Sequence, residues 1–183
     1  ICLGTVHDIT LDPIAQAQEA AATKTYQEVY PDAASFDEPQ ELADAVTAAA
    51  DSISEWGFGK VTINDAKEAL DASGNQIGYL ITSTSAESYG GNVQIAVGIT
   101  NEGELTGIGF LSISDTPGLG MRAKEPDFKD QFIGKKAENL EVTKTGASAD
   151  NQIEAISGAT ITSKAVTNAT DAAIYFVANC LAQ

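Results

Sequence analysis

The stretch that decides the fold runs from Val93 to Phe110 and reads VQIAVGITNEGELTGIGF. Apolar side chains occupy every second position from Val93 to Ile99, which is typical of a strand with one buried face. The polar, glycine-containing segment Asn101-Glu102-Gly103-Glu104 interrupts this pattern, and apolar residues then resume at Leu105. Two such segments joined by a short polar turn predict an antiparallel hairpin.

The same alternation extends towards the N-terminus. It begins at Val61 and Ile63, and it returns between Ile77 and Ile81. Turn-forming residues separate the alternating segments, at Ser73-Gly74-Asn75 and at Tyr89-Gly90-Gly91. Successive hairpins of this kind predict an antiparallel meander sheet.

Helical spacing flanks the meander on both sides. Asp12-Pro13 predicts the start of a first helix that ends before Pro31, and a second helix is predicted from Pro39 to Trp56. A short helix near 127–133 and a strand near 140–142 follow. The last helix is expected to turn one stripe to the core: Val166, Ala169, Ala173, Phe176 or Val177, and Cys180. We therefore predict one α+β domain, 1–183, with helices packed at both chain ends.

Composition limits the possible functions. The chain has 183 residues, with 26 acidic against 10 basic side chains and a formal net charge of −16. Such a surface repels nucleic-acid phosphates and anionic lipid headgroups, so binding to either is not expected. Solubility alone would also account for the charge.

Metal-binding residues are scarce in this sequence. His7 is the single histidine, and the two cysteines, Cys2 and Cys180, stand near opposite ends without a CxxC motif. We therefore expect no metal, haem or iron–sulfur site and no Ser-His-acid catalysis, and the sequence leaves open whether the cysteines pair. No run of about eighteen apolar residues predicts a membrane span.

A hydroxyl-rich segment precedes the last helix. It reads Ser157-Gly158-Ala159-Thr160-Ile161-Thr162-Ser163. Small residues allow backbone N–H groups to approach an anion, and a helix N-terminus favours negative charge, so the segment suits a phosphate group. The alternative is an ordinary helix cap made by a serine or threonine.

The segment Glu154-Ala155-Ile156-Ser157-Gly158-Ala159-Thr160 resembles the flavinylation motif of the FMN-binding domain family. This family includes the G subunit of Rnf-type ferredoxin:NAD oxidoreductases and the C subunit of sodium-pumping NADH:quinone oxidoreductases. The resemblance implies that Thr160 carries FMN through a phosphoester bond. Glu154 stands where the family usually has Asp, so the acidic charge is kept.

A second segment, Asp115-Thr116-Pro117-Gly118-Leu119-Gly120, resembles the Glu-Thr-Pro-Gly-Leu-Gly loop of Rnf G subunits. Taken alone, these residues predict a tight turn. The resemblance implies that the loop lies beside the flavin ring. The full set of expected FMN-binding residues is Thr160, Ser157, Gly158, Ala159, Thr162, Ser163, Thr116, Gly118, Leu119, Gly120, Glu154 and Tyr89.

The resemblance also implies a function. It indicates an electron-transfer flavoprotein subunit with covalent FMN in a membrane-bound, ion-translocating oxidoreductase, rather than a self-contained enzyme. The implied partners are other subunits of that complex and a flavin transferase. An N-terminal membrane helix absent from this chain would hold the domain at the extracytoplasmic face. Two alternatives are a standalone extracytoplasmic FMN carrier and a non-redox acidic binding module.

Overall fold

The computed structural model describes residues 20–136 and 139–181. Its main sheet has five strands in chain order, and each neighbouring pair is antiparallel, which confirms the predicted meander. A second, two-stranded sheet is parallel. The strands are β1 (Ser35–Asp37), β2 (Val61–Leu70), β3 (Gln76–Ser88), β4 (Gly91–Thr100), β5 (Leu105–Ile113), β6 (Glu141–Thr143) and β7 (Gln152–Glu154).

The helices lie on both sides of the strands in sequence, as the α+β prediction requires. They are α1 (described over 20–29), α2 (Gln40–Ala50), α3 (Pro126–Lys129) and α4 (Thr160–Phe176). The predicted helix start at Asp12-Pro13 lies outside the described residues, as do Cys2 and His7. No helix in the described part of the chain is long and apolar enough to cross a membrane.

The second helix is shorter than predicted. It ends at Ala50 rather than Trp56, and a 3-10 turn follows at Ile53–Glu55. The Ser52 hydroxyl donates to the Ala49 carbonyl (3.2 Å), a local bond of the kind that competes with helix continuation. The apolar stripe still reaches the core across this break, and Trp56 packs on the Tyr175 ring with centroids 4.7 Å apart.

The main core lies between the sheet and α4. The alternating residues of β4 that the sequence singled out, Val93, Ile95, Val97 and Ile99, are buried in one cluster with the α4 stripe. Ser83 Oγ on β3 donates to the Ala169 carbonyl of α4 (2.9 Å), inside the core. Helix α4 is therefore fixed along the centre of the sheet.

Helix α1 covers part of the opposite face of the sheet. Val29 packs there with Leu80 and Ala96. A Cβ at Gly109 would lie 2.5 Å from side-chain carbons of both Thr25 and Val29, so the glycine is what admits the helix. The sheet thus has a helix packed on each face.

Candidate functional site

A cavity of about 470 Å³ lies at the end of the sheet where three segments meet. We define its three walls as the turn wall (88–90, between β3 and β4), the loop wall (115–120, after β5) and the helix wall (158–162, at the start of α4). The two segments singled out in the sequence thus line one cavity. The lining residues are Tyr89, Asp115, Thr116, Leu119, Gly120, Gly158, Ala159, Thr160, Ile161 and Thr162.

The hydroxyls of Thr160 and Thr162 in the helix wall, and of the adjacent Ser163, make different contacts. Thr162 and Ser163 are fully buried. Thr162 Oγ1 donates to Asp115 Oδ2 (2.6 Å), and Ser163 Oγ donates to the Ala159 carbonyl (2.9 Å). The half-buried Thr160 lines the cavity, and no hydrogen bond within the described residues involves its hydroxyl. Thr160 is therefore the hydroxyl of this group that is open to a ligand.

The start of α4 has no side-chain cap. Ala159 occupies the N-cap position with φ −133° and ψ 40°, and no side-chain hydrogen bond caps the helix there. The first-turn N–H groups of a helix lack intrahelical partners and carry a partial positive charge. The ordinary-cap interpretation therefore does not describe this segment, whereas its N–H groups remain suited to an anion.

Two features of position 158 favour glycine. Its φ of +78° lies in the left-handed region, and a Cβ there would stand 3.0 Å from Leu119 Cδ2. The loop wall and the helix wall are therefore in close contact beside Thr160.

The Asp115 carboxylate is hydrogen-bonded to all three walls. It accepts from Ser88 Oγ (2.8 Å), from the Thr116 N–H (2.7 Å) and from Thr162 Oγ1 (2.6 Å). Partial desolvation by itself raises the pKa of Asp115. The hydrogen bonds lower it by a larger amount, so the pKa of this carboxyl lies below its ordinary value. Asp115 is therefore a stable anion at the wall of the cavity.

Two functional candidates were missing from the predicted set. Asp115 was recognised as part of the loop motif, but nothing in its local sequence indicates that distant hydroxyls converge on it. Ile161 lines the cavity and is 55% exposed. The sequence does give a sign of this role, because Ile161 is apolar and lies in the first turn of α4 outside the buried stripe.

Four predicted residues do not line this cavity. Glu154 and Ser157 instead line a smaller neighbouring cavity of about 280 Å³ beside Arg122. The Glu154 backbone is held there by Gln131, whose Oε1 accepts from the Glu154 N–H at 2.7 Å. Gly118 is an exposed turn residue with φ +77°. Ser163, buried behind the helix wall, supports the segment by accepting a hydrogen bond from the Ile156 N–H (3.0 Å).

The rim of the 470 Å³ cavity is apolar. Tyr89 is 72% exposed and Leu119 is 41% exposed, and both line the cavity together with Ile161. Across the described residues, no cluster of three or more His, Cys, Asp or Glu side chains could hold a metal ion. The site thus combines an open hydroxyl, helix N–H groups and an apolar edge.

Similar proteins agree on one family. Residues 88–175 match the family described as FMN-binding domain. The chain is 34% identical to the G subunit of the Na(+)-translocating ferredoxin:NAD(+) oxidoreductase complex of Acetobacterium woodii, over 97% of this chain and 84% of that protein. It is 35% identical to the G subunit of the proton-translocating ferredoxin:NAD(+) oxidoreductase complex of Clostridium ljungdahlii, over 63% of this chain and 67% of that protein.

A solved structure shares the fold. The crystal structure of Shewanella oneidensis NqrC matches 61% of this chain and 54% of its own, with a TM-score of 0.50 and 19% identity. This likeness concerns the fold, whereas the match over nearly the whole chain to the Acetobacterium woodii protein concerns the family. The chain therefore belongs to the FMN-binding domain family, in the group formed by the G subunits of ion-translocating ferredoxin:NAD(+) oxidoreductase complexes.

Proposed function

We propose that this chain is an electron-transfer subunit of a membrane-bound, ion-translocating oxidoreductase and carries FMN on Thr160 through a phosphoester bond. The observation that carries the proposal is the open Thr160 hydroxyl at an uncapped helix N-terminus, inside a cavity whose facing wall is the loop 115–120. Family membership supplies the identity of the cofactor.

The residues present fit FMN. The cavity volume of about 470 Å³ lies within the range of roughly 300–1,000 Å³ that is common for small-molecule sites. The N–H groups at the start of α4 would hold the phosphate, and Leu119 and Ile161 offer apolar contact to a ring. Bound FMN would supply one- and two-electron chemistry, which none of these side chains provides.

The charge of the chain favours a covalent link over reversible binding. With a net charge of −16, the overall field opposes an incoming phosphate, so its binding depends on local groups such as the N–H groups at the start of α4. A phosphoester bond at Thr160 makes retention of the cofactor independent of that balance. A covalent link therefore allows this acidic chain to keep an anionic cofactor.

Attachment at Thr160 requires an activated donor and a base. Thr160 Oγ1 would lose its proton and form the new O–P bond to the phosphate that carries the flavin. The phosphoanhydride bond of the flavin donor would break, and the other phosphate half of the donor would leave. Among the described residues, Asp115 is the carboxylate that lines the cavity, and it already accepts three hydrogen bonds. We therefore assign proton removal to a flavin transferase rather than to this chain.

Because the cavity is open to solvent, electrons could pass between FMN bound there and other proteins. Tyr89, Leu119 and Ile161 form an exposed apolar border that neighbouring subunits could cover. We propose that an N-terminal membrane helix outside this chain holds the domain at the extracytoplasmic face, as the family resemblance implies.

Peptide mapping tests the acceptor residue. Each variant is expressed beside a flavin transferase and analysed by in-gel flavin fluorescence and mass mapping. Thr160→Ala should lose covalent FMN while the circular dichroism spectrum stays unchanged, because the Thr160 hydroxyl makes no hydrogen bond within the described residues. Ser157→Ala, on the neighbouring cavity, and Thr162→Ser should remain labelled. FMN found on Ser157 or Thr162, or an unlabelled wild type, would overturn the assignment.

A further inference from the structure

We propose that Asp115 is the positioning residue of this site: one carboxylate joins the three walls of the cavity and thereby sets the place of the Thr160 hydroxyl. The joining of the walls stands on the contacts of the chain itself, and its role in FMN attachment rests on the proposed function. The carboxylate is well suited to this task because it is an acceptor only, with room for about four donors.

The turn wall contributes one of these donors. Ser88 Oγ donates to Asp115 Oδ2 at 2.8 Å, and the backbone N–H of Gly90 also helps to lower the pKa of the carboxyl. Tyr89 lies between them and projects outward, with 72% of its surface exposed. A Cβ at Gly90 would lie 2.7 Å from the Asp115 Cα, so this glycine allows the turn to come close.

The loop wall folds back on the same carboxylate. The Thr116 N–H donates to Asp115 Oδ1 (2.7 Å), and the Thr116 carbonyl accepts from the Leu119 N–H (3.1 Å). A Cβ at Gly120 would collide with the carboxylate group. The glycine at the end of the loop motif is therefore explained by Asp115 itself.

The helix wall is joined through Thr162. Its side chain is fully buried, and its hydroxyl donates to Asp115 Oδ2 at 2.6 Å. Hydrogen bonds to an ionised acceptor are stronger than neutral ones. Thr160 stands in the same helical turn, so a displacement of Thr162 would move the proposed acceptor oxygen as well.

Asparagine weakens this joint. Its amide nitrogen is a donor, so Asp115→Asn either sets the Thr116 N–H against another donor or makes the Ser88 and Thr162 hydroxyls turn to accept, and in both cases the ionised acceptor is lost. Thr162→Val removes one bond at nearly constant shape, and Thr162→Ser keeps it. Asp130→Asn makes the same charge change at an exposed position and serves as the matched control.

Amide hydrogen exchange on the chain without flavin tests the joining of the walls. The reporters on the helix side are the Ala159 N–H, bonded to the Ile156 carbonyl, and the Ser163 N–H, bonded to the Ala159 carbonyl. In Asp115→Asn and Thr162→Val we expect both to exchange at least about tenfold faster, while amides at the centre of β4 stay unchanged. Thr162→Ser and Asp130→Asn should match the wild type.

Covalent labelling by the transferase tests the consequence for Thr160. Asp115→Asn and Thr162→Val should be labelled more slowly, the double variant no more slowly than the worse single one, and Thr162→Ser at the wild-type rate. Wild-type exchange rates in Asp115→Asn would overturn the joining of the walls. Faster exchange with unchanged labelling would overturn the positioning role. An unlabelled wild type would instead contradict the proposed function and leave the exchange result decisive for the joining of the walls.

Discussion

At the scale of single residues, Asp171 is a buried acid that the candidate site does not use. It lies on α4 with 5% of its surface exposed and accepts the Leu140 N–H at 2.9 Å. Burial raises the pKa of Asp171 to about 7, although the bond from Leu140 acts in the opposite direction. A carboxyl whose pKa is raised by folding stabilises the folded chain when protonated. That contribution is lost as the pH rises from about 4 through about 7.

We expect Asp171→Asn to flatten this pH dependence. Asparagine keeps an acceptor for the Leu140 N–H and carries no charge. The variant should match the wild type near pH 4 and exceed it near pH 8, with an upper limit of about 4 kcal/mol in the free energy of unfolding. Urea titrations at several pH values measure this, with Asp130→Asn as an exposed control. Parallel profiles for wild type and Asp171→Asn would contradict the prediction.

At the scale of elements, the contact between α1 and the sheet depends on a missing side chain. Gly109→Ala would place a Cβ against both Thr25 and Val29. Overpacking of this kind usually costs about 1–3 kcal/mol, so we expect a lower melting temperature. Calorimetry measures the loss.

A control in the same strand separates packing from strand propensity. Ser112→Ala changes an exposed position of β5 and should leave the melting temperature nearly unchanged. Adding Thr25→Ala to Gly109→Ala should recover part of the loss, because it removes one of the two contacting carbons. No recovery, together with an equal loss in Ser112→Ala, would mean that α1 does not press on Gly109.

The elements differ in how far the sequence predicted them. The hairpin around Gly103 carries a long alternating signal and was predicted with its turns. The short strands β1 and β7 were not predicted, because three residues give no measurable period and their pairing depends on tertiary partners. The end of α2 was also missed, since its apolar stripe continues through the 3-10 turn.

The site was predictable in its segments but not in its contacts. Resemblance named both Thr160 and the loop 115–120, and the cavity brings these together. Local sequence could not show that Glu154 and Ser157 line a separate cavity, because the direction of a side chain depends on the backbone path between β7 and α4. Nor could it show that Ser88 shares an acceptor with Thr162.

At the scale of the whole molecule, the acidic surface should act on small redox mediators. A net charge of −16 attracts cations and repels anions over distances of about the Debye length, roughly 10 Å at 0.1 M salt. For the flavinylated chain at low salt, we expect a cationic mediator to reduce FMN faster than an anionic one of similar potential. Stopped-flow absorbance at low salt and at about 1 M salt measures the ratio of the two reduction rates.

Salt provides the internal control for this prediction. Raising the salt to about 1 M shortens the Debye length to about 3 Å, so the two rates should converge. A ratio that does not respond to salt would indicate that charge near the cavity differs from the charge of the chain. Slow reduction by both mediators would indicate instead that the flavin is enclosed.

Thr160 is the first residue of α4, and the following turns of this helix are buried in the core. This placement affects the rate of electron transfer. A flavin linked to a flexible loop would sample many separations from a partner, and its fastest transfers would come from rare close approaches. The attachment point of a flavin on Thr160 would keep one place relative to the sheet, because α4 cannot slide without disrupting the buried contacts of Val166, Ala169 and Ala173. The gap across which an electron must tunnel would then depend on the short ribityl-phosphate link and on how whole domains dock.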